Sequence, residues 1–196
     1  MFDKYLNQVR RFYRTSNKYY HTIHHIEDMF ILFDKYEKVW DSEFPKYNKN
    51  VLKWAIAYHD CFYMPGFSQN EHISALIALY DCPLESFATR TNICTAIETT
   101  VPTNTLFNVP AHKILHDLDW SGFSDMETMR KNEEKIITEA VEIGGIKFND
   151  AVENQIKFYK AIRNKYLYVT EAFKSFNKLA NNNINTRLNE LSVKGI

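Results

Sequence analysis

Histidines and carboxylates gather at a few places in this chain. His21, His24 and His25 stand together near the N-terminus, His59 and Asp60 are adjacent, and Asp117 and Asp119 are separated by one leucine. Imidazole nitrogen with carboxylate oxygen is a ligand set for a borderline-hard divalent ion such as Mn²⁺, Fe²⁺, Co²⁺ or Zn²⁺. Buried without a counter-charge, such groups would cost roughly several kcal/mol, so convergence on a cation is the economical reading.

The elements that must position them read as helices. Glycine and proline are scarce, five each, and aromatics are abundant, which suits long helices with bulky core residues better than a turn-rich β fold. Phe12 to Lys38, with Ile26, Met29, Phe30 and Phe33 at helical spacing, reads as the first long helix, capped by Ser16-Asn17, with His21 and His25 one turn apart on one face. Leu52, Ala55, Ile56 and His59 fall at i, i+3, i+4 and i+7, so a helix from about Asn48 ends with His59 on its buried stripe. Met64-Pro65-Gly66 breaks the chain. Ser68 to Glu71 fits a capping box for a helix that runs to Cys82-Pro83, and another helix follows from Ser86 to about Thr99. Val101 to Pro110 is a loop. Further helices are expected from Ala111 to Trp120, Met126 to Val141, Phe148 to Ile162, Tyr166 to Ala180 and Ile184 to Leu191, with Gly144-Gly145 and Asn181-Asn182-Asn183 as joints. The pattern predicts an all-α, compact single-domain bundle of roughly nine helices over residues 1–196.

Lys+Arg and Asp+Glu both number 24, so no net field favours nucleic acid or an anionic membrane, and any anion site must be local. Cys61, Cys82 and Cys94 are odd in number and form no C-x-x-C pair, and read as core thiols in a reducing compartment. No signal pattern opens the chain and no stretch approaches the ~18 apolar residues of a membrane span, so a cytoplasmic protein is expected.

Four ordered segments resemble the HD superfamily, within it a branch of metal-dependent phosphohydrolases of about this length. They are Lys18-Tyr-Tyr-His21-Thr-Ile-His-His25, Ala57-Tyr-His59-Asp60-Cys-Phe-Tyr63, Ser68-Gln-Asn70-Glu71-His-Ile-Ser74-Ala75 and Leu115-His-Asp117-Leu-Asp119-Trp-Ser-Gly122. The likeness covers most of the chain. It implies an HD-type helical bundle and a metal site of His25, His59, Asp60 and Asp119, with Asp117 as the alternative to Asp119. It also implies hydrolysis of a small phosphorylated molecule, a phosphate ester or nucleotide, in which water bound to one divalent ion (Mn, Fe, Co, Ni, Mg or Zn) would attack phosphorus. Asp60 would orient the water, Glu71 would accept or return a proton, and Lys18 with His21 would offset phosphate charge.

Departures accompany the likeness. Lys18 stands where the branch has arginine, keeping the charge but losing the planar fork. Val101-Pro102-Thr103 lacks a histidine that would support a second metal, which favours one metal. Glu71 has an equal claim to a backbone-capping role. His112 and His116 share a face with Asp119 and are expected to face solvent, His24 and His72 to lie at the rim, and Tyr166, Tyr168, Phe173 and Phe176 to belong to the core. An HD-type di-iron oxygenase and a non-catalytic nucleotide-binding HD protein are the rival readings.

Overall fold

The computed structural model describes residues 2–14, 18–83, 86–101 and 109–193. Among these the regular structure is helical, with nine α-helices: α1 (Asp3–Val9), α2 (Ile23–Glu43), α3 (Lys49–Tyr58), α4 (Asn70–Asp81), α5 (Phe87–Glu98), α6 (Pro110–Asp119), α7 (Met126–Glu142), α8 (Phe148–Ile162) and α9 (Asn177–Val193). Short 3₁₀ turns at Ser121–Ser124 and Lys174–Phe176 join α6 to α7 and lead into α9. No described helix is long and apolar enough to cross a membrane.

Helix α3 is the hub. Its sequence is apolar on nearly every side, seven of its ten residues are buried, and it touches α1, α2, α4, α5 and α6. A helix apolar all round belongs in an interior. Asn48 caps its start by accepting from the backbone N–H groups of Asn50 and Val51. The residue ending it, His59, is thereby carried into the core at 1 % exposure. Helix α6, opened by Pro110 at its first turn, packs on α2, α3 and α5 and brings its last residue, Asp119, to the same place.

Several boundaries depart from the sequence reading. The first long helix begins later than its expected Phe12 start: turns run to Tyr13, and α2 starts only at Ile23 behind Thr22, while an additional helix, α1, ends at Val9 before it. Ser16-Asn17, expected to cap it, lie outside the described residues, as do 102–108 of the expected loop. The physical reason for the late start is Glu139 of α7, whose Oε1 accepts from the backbone N–H groups of Tyr19, Tyr20 and His21. Those donors are turned to a buried carboxylate instead of a helical ladder, so His21 and His25 are not successive turns of one helix.

The C-terminal region is also redrawn. No helix spans Tyr166 to Ala180, and the three asparagines at 181–183 are no joint but run inside α9. Their side chains explain it. Asn177 Oδ1 accepts from the N–H groups of Leu167 and Tyr168, and Asn181 accepts from Asn164 N–H while donating to the Lys165 carbonyl, so asparagines on α9 hold the preceding extended strip. In that extended strip Tyr168 is buried and Tyr166 is 84 % exposed, so Tyr166 leaves the core that Tyr168 and Phe173 enter. Arg187 of α9 grips the buried Glu133 of α7 through Nε and Nη2, and Tyr159 of α8 donates to the same carboxylate at 2.9 Å, tying the last three helices together.

Candidate metal centre

His25 from the first turn of α2, His59 and Asp60 at the end of α3, and Asp119 at the end of α6 meet at one point. His25 Nε2 is 3.3 Å from Asp119 Oδ1 and 3.7 Å from Asp60 Oδ2, and His59 Nε2 is 3.1 Å and 3.6 Å from Asp60 Oδ2 and Asp119 Oδ1. One donor atom from each of the four lies within 4.8 Å of every other. Atoms sharing one ion through bonds of about 2.0–2.2 Å stand roughly 3–4.4 Å apart, so small side-chain movements suffice for all four to reach a common centre.

His59 shows the fit most directly. Its Nδ1 donates to the Ile56 carbonyl at 3.0 Å, which fixes the tautomer and leaves Nε2 as the lone-pair atom. That Nε2 is buried and makes no aligned hydrogen bond, although Asp60 Oδ2 is only 3.1 Å away. A lone pair facing two carboxylates is repelled by them; a positive charge between them removes the conflict. The local electrostatics point the same way. Burial opposes charging His59, yet the Asp60 charge and contacts with Asp119 and Asp60 outweigh it and favour its protonated form. Burial likewise works against the ionised carboxylates, but the His59 and His21 charges draw Asp60 down to about 2, and contacts with His25 and His59 hold Asp119 far below the usual range.

Asp117 is taken out of contention. Fully buried, it accepts from the N–H groups of Val169 and Thr170 and from Thr170 Oγ1, and so anchors the strip before α9. Burial, opposed by those bonds, pushes its carboxyl up to about 6. His112 and His116, expected to face solvent, are buried at 6 % and 8 %, because α6 is covered on both sides by α3, α5 and the 167–170 strip; His116 Nε2 pairs with the Leu167 carbonyl. His24 and His72 stay at the surface, each beside a glutamate.

A cavity of about 280 Å³ opens from the cluster, with Asp60, Asp119, His21, Glu71, Tyr20 and Tyr63 at this end. His21 lies flat against Tyr63, ring centres 3.3 Å apart, and its Nδ1 pairs with Glu139 Oε2 at 2.6 Å. Burial raises the Glu139 carboxyl, but the bonds from His21, Tyr20 and Tyr19 bring it below its ordinary value. The capping box expected of Glu71 is not formed: Gln69 is the N-cap, without a side-chain cap bond. Glu71 instead borders the cavity, where burial, reinforced by Asp60 and Asp119, raises its carboxyl. Lys18 lies behind the wall. Its Nζ is 5.8 Å from the Tyr13 ring centre, and burial lowers its ammonium against the pull of Asp60 and Glu139.

Glu139 escaped the sequence reading, although a signal existed: Ile136, Glu139, Ala140 and Ile143 share one helix face, and a carboxylate on an apolar stripe requires a partner. Nothing in the sequence named that partner as His21. Comparison with known protein families, with curated proteins and with solved structures finds no match.

Proposed function

We propose that this protein is a metal-dependent phosphohydrolase, acting on a phosphate ester or nucleotide, with one divalent ion held by His25, His59, Asp60 and Asp119. The observation carrying the proposal is the buried Nε2 of His59, without an aligned hydrogen bond, among four converging donors of which Asp60 and Asp119 line a cavity. The sequence likeness to the HD superfamily supports the same reading. An ion bound there supplies Lewis acidity, withdrawing charge from a phosphoryl oxygen and acidifying a water towards neutral pH.

The chain supplies the rest. Asp60 has a second carboxylate oxygen with which to orient the attacking water. As the water oxygen bonds to phosphorus, the ester P–O bond breaks and its electron pair leaves on the alcohol oxygen. Glu71, whose raised carboxyl borders the cavity, is placed to take the water's proton and return it to that alcohol. His21, locked by Glu139 and Tyr63, offers its remaining ring nitrogen to a phosphate oxygen, and Lys18 adds charge from behind Asp60. The free thiols Cys61, Cys82 and Cys94 suit a reducing, cytoplasmic setting.

The test is metal content by mass spectrometry on the purified protein and on His59→Ala, with phosphate release from a panel of esters and nucleotides under added Mn²⁺, Mg²⁺, Co²⁺ or Ni²⁺. About one metal per chain, lost in the variant together with phosphate release, is the expected result. No metal in either protein and no turnover would overturn the proposal in favour of a non-catalytic binding protein; two irons per chain with an oxygen-dependent optical band would replace it with an oxygenase.

A further inference from the structure

The far end of the cavity is built differently from the end that holds the donor cluster. Its walls are Trp120, Phe123, Phe158 and Tyr159, with the Trp120 and Phe158 rings edge to face at 5.9 Å and Phe123 5.5 Å from Trp120. The amides of Asn132 and Gln155 are the neutral polar groups among these rings. Glu133 also borders this end, but its carboxylate is neutralised by the Arg187 fork and accepts from Tyr159. Gly122 lets the Asn132 amide approach: a Cβ at 122 would stand 2.7 Å from Asn132 Nδ2.

Among the described lining residues there is no lysine or arginine, while Asp60, Glu71 and Asp119 are present and Glu133 is already paired with Arg187. A chain of two or three phosphates entering this space would add negative charge with no cation of the wall to meet it. A polyhydroxylated sugar lying against these four rings would bury more hydroxyls than the neighbouring Asn132 and Gln155 amides satisfy, even with Asn70 and Thr100 as further neutral polar groups of the lining. A flat aromatic ring satisfies the walls, since ring faces and edges pack against Trp120 and Phe158 and one or two ring heteroatoms suffice for the amides. At about 280 Å³ the cavity lies at the small end of ligand sites, which commonly span about 300–1,000 Å³.

We infer that the cavity selects a monophosphate carrying one uncharged, flat aromatic group, bound with the phosphate at the histidine–aspartate end and the ring packed against the Trp120–Phe158 pair. This rests on the phosphohydrolase reading for the phosphate end alone; the ring end stands on the cavity walls. The ring has two sources, an aryl group or the base of a nucleoside monophosphate, and the test separates them.

Binding to the Mn²⁺-loaded protein is measured by calorimetry for naphthylmethylphosphonate, methylphosphonate, adenosine monophosphate and the methylene analogue of adenosine diphosphate, in wild type, Phe158→Leu and Gln155→Glu. Naphthylmethylphosphonate or adenosine monophosphate should bind at least about tenfold more tightly than methylphosphonate. Phe158→Leu, which keeps apolar bulk, and Gln155→Glu, which adds charge at a half-exposed position, should erase most of that advantage with metal content unchanged. Whichever ring-bearing ligand binds more tightly names the source. Methylphosphonate binding as well as both, or the diphosphate analogue binding more tightly than the monophosphate, overturns the inference. Ring-selective binding without phosphate release would uphold it while removing the hydrolase reading; phosphate release without ring selectivity would do the reverse.

Discussion

Glu139 and His21 are 118 residues apart in the chain, yet the carboxylate takes the His21 Nδ1 at 2.6 Å with one oxygen and three consecutive backbone N–H groups with the other. The contact fixes the imidazole against Tyr63 and sets where α2 begins, so a single side chain shapes both fold and cavity.

Glu139→Gln should therefore damage turnover more than metal uptake. Outer partners that orient a site histidine are typically worth about 10–100-fold, and a fall of that size in kcat/KM at unchanged metal content is expected. Glu139→Ala, which strands several buried donors, should also lower stability by about 3 kcal/mol or more in denaturant titration. Full activity in both variants would show that the contact is structural only.

Asp117 and Asp119 should separate cleanly. Asp119→Asn is expected to lose metal and keep most of its stability as apoprotein. Asp117→Ala should retain metal while losing about 2–4 kcal/mol, because the N–H groups of Val169 and Thr170 and the Thr170 hydroxyl lose their acceptor. Metal content and thermal unfolding of the pair check this, and the reverse pattern would exchange their roles.

Saturating the cluster should stabilise the native state. At a metal concentration about 100 times Kd, linkage gives about 2.7 kcal/mol, which for a chain of this size raises Tm by about 5–11 °C. Scanning calorimetry with Mn²⁺ and then with chelator measures it. No shift, or the same shift in His59→Ala, would place binding elsewhere.

Glu71→Gln distinguishes a role in chemistry from one in helix capping. Since Gln69 and not Ser68 caps α4, and no side-chain cap bond is made, stability should change by about 0.5 kcal/mol or less. Phosphate release should fall by about 10²-fold or more. A variant that is destabilised by about 1 kcal/mol and fully active would return Glu71 to the cap.

Asp81 carries an acid-sensitive clasp away from the metal site. Burial raises its carboxyl, but Tyr58, Gln8 and Arg11 all donate to it and bring it below the ordinary value. A depressed carboxyl stabilises the fold above its unfolded value of about 3.9, and that contribution is lost as pH falls through the folded value. Asp81→Asn should accordingly lower stability at neutral pH and flatten the loss of stability below about pH 4. An unchanged acid limb would assign the acid sensitivity to other carboxylates.

Local pattern alone determined much of this molecule. The apolar run around Leu52 and Ile56 pointed to α3 from about Asn48 with an inward-facing His59, and Ser86, Met126 and Phe148 marked helix starts close to where α5, α7 and α8 begin. These signals lie within a few residues of one another, so no distant partner was needed to read them. The count of nine survived through two compensating departures, since α1 was not expected and α9 replaced two shorter helices. The four donors, by contrast, were named by the resemblance of the ordered motifs to the HD superfamily and not by periodicity. What only the tertiary structure decided were relationships between distant residues: Glu139 with His21, Asp117 with the 169–170 backbone, the asparagines of α9 with the preceding strip, and aromatic rings from α8 and the turn after α6 facing one cavity. Each depends on a buried polar or aromatic group finding its partner across the core. Periodicity shows that such a group is buried; only packing shows what satisfies it.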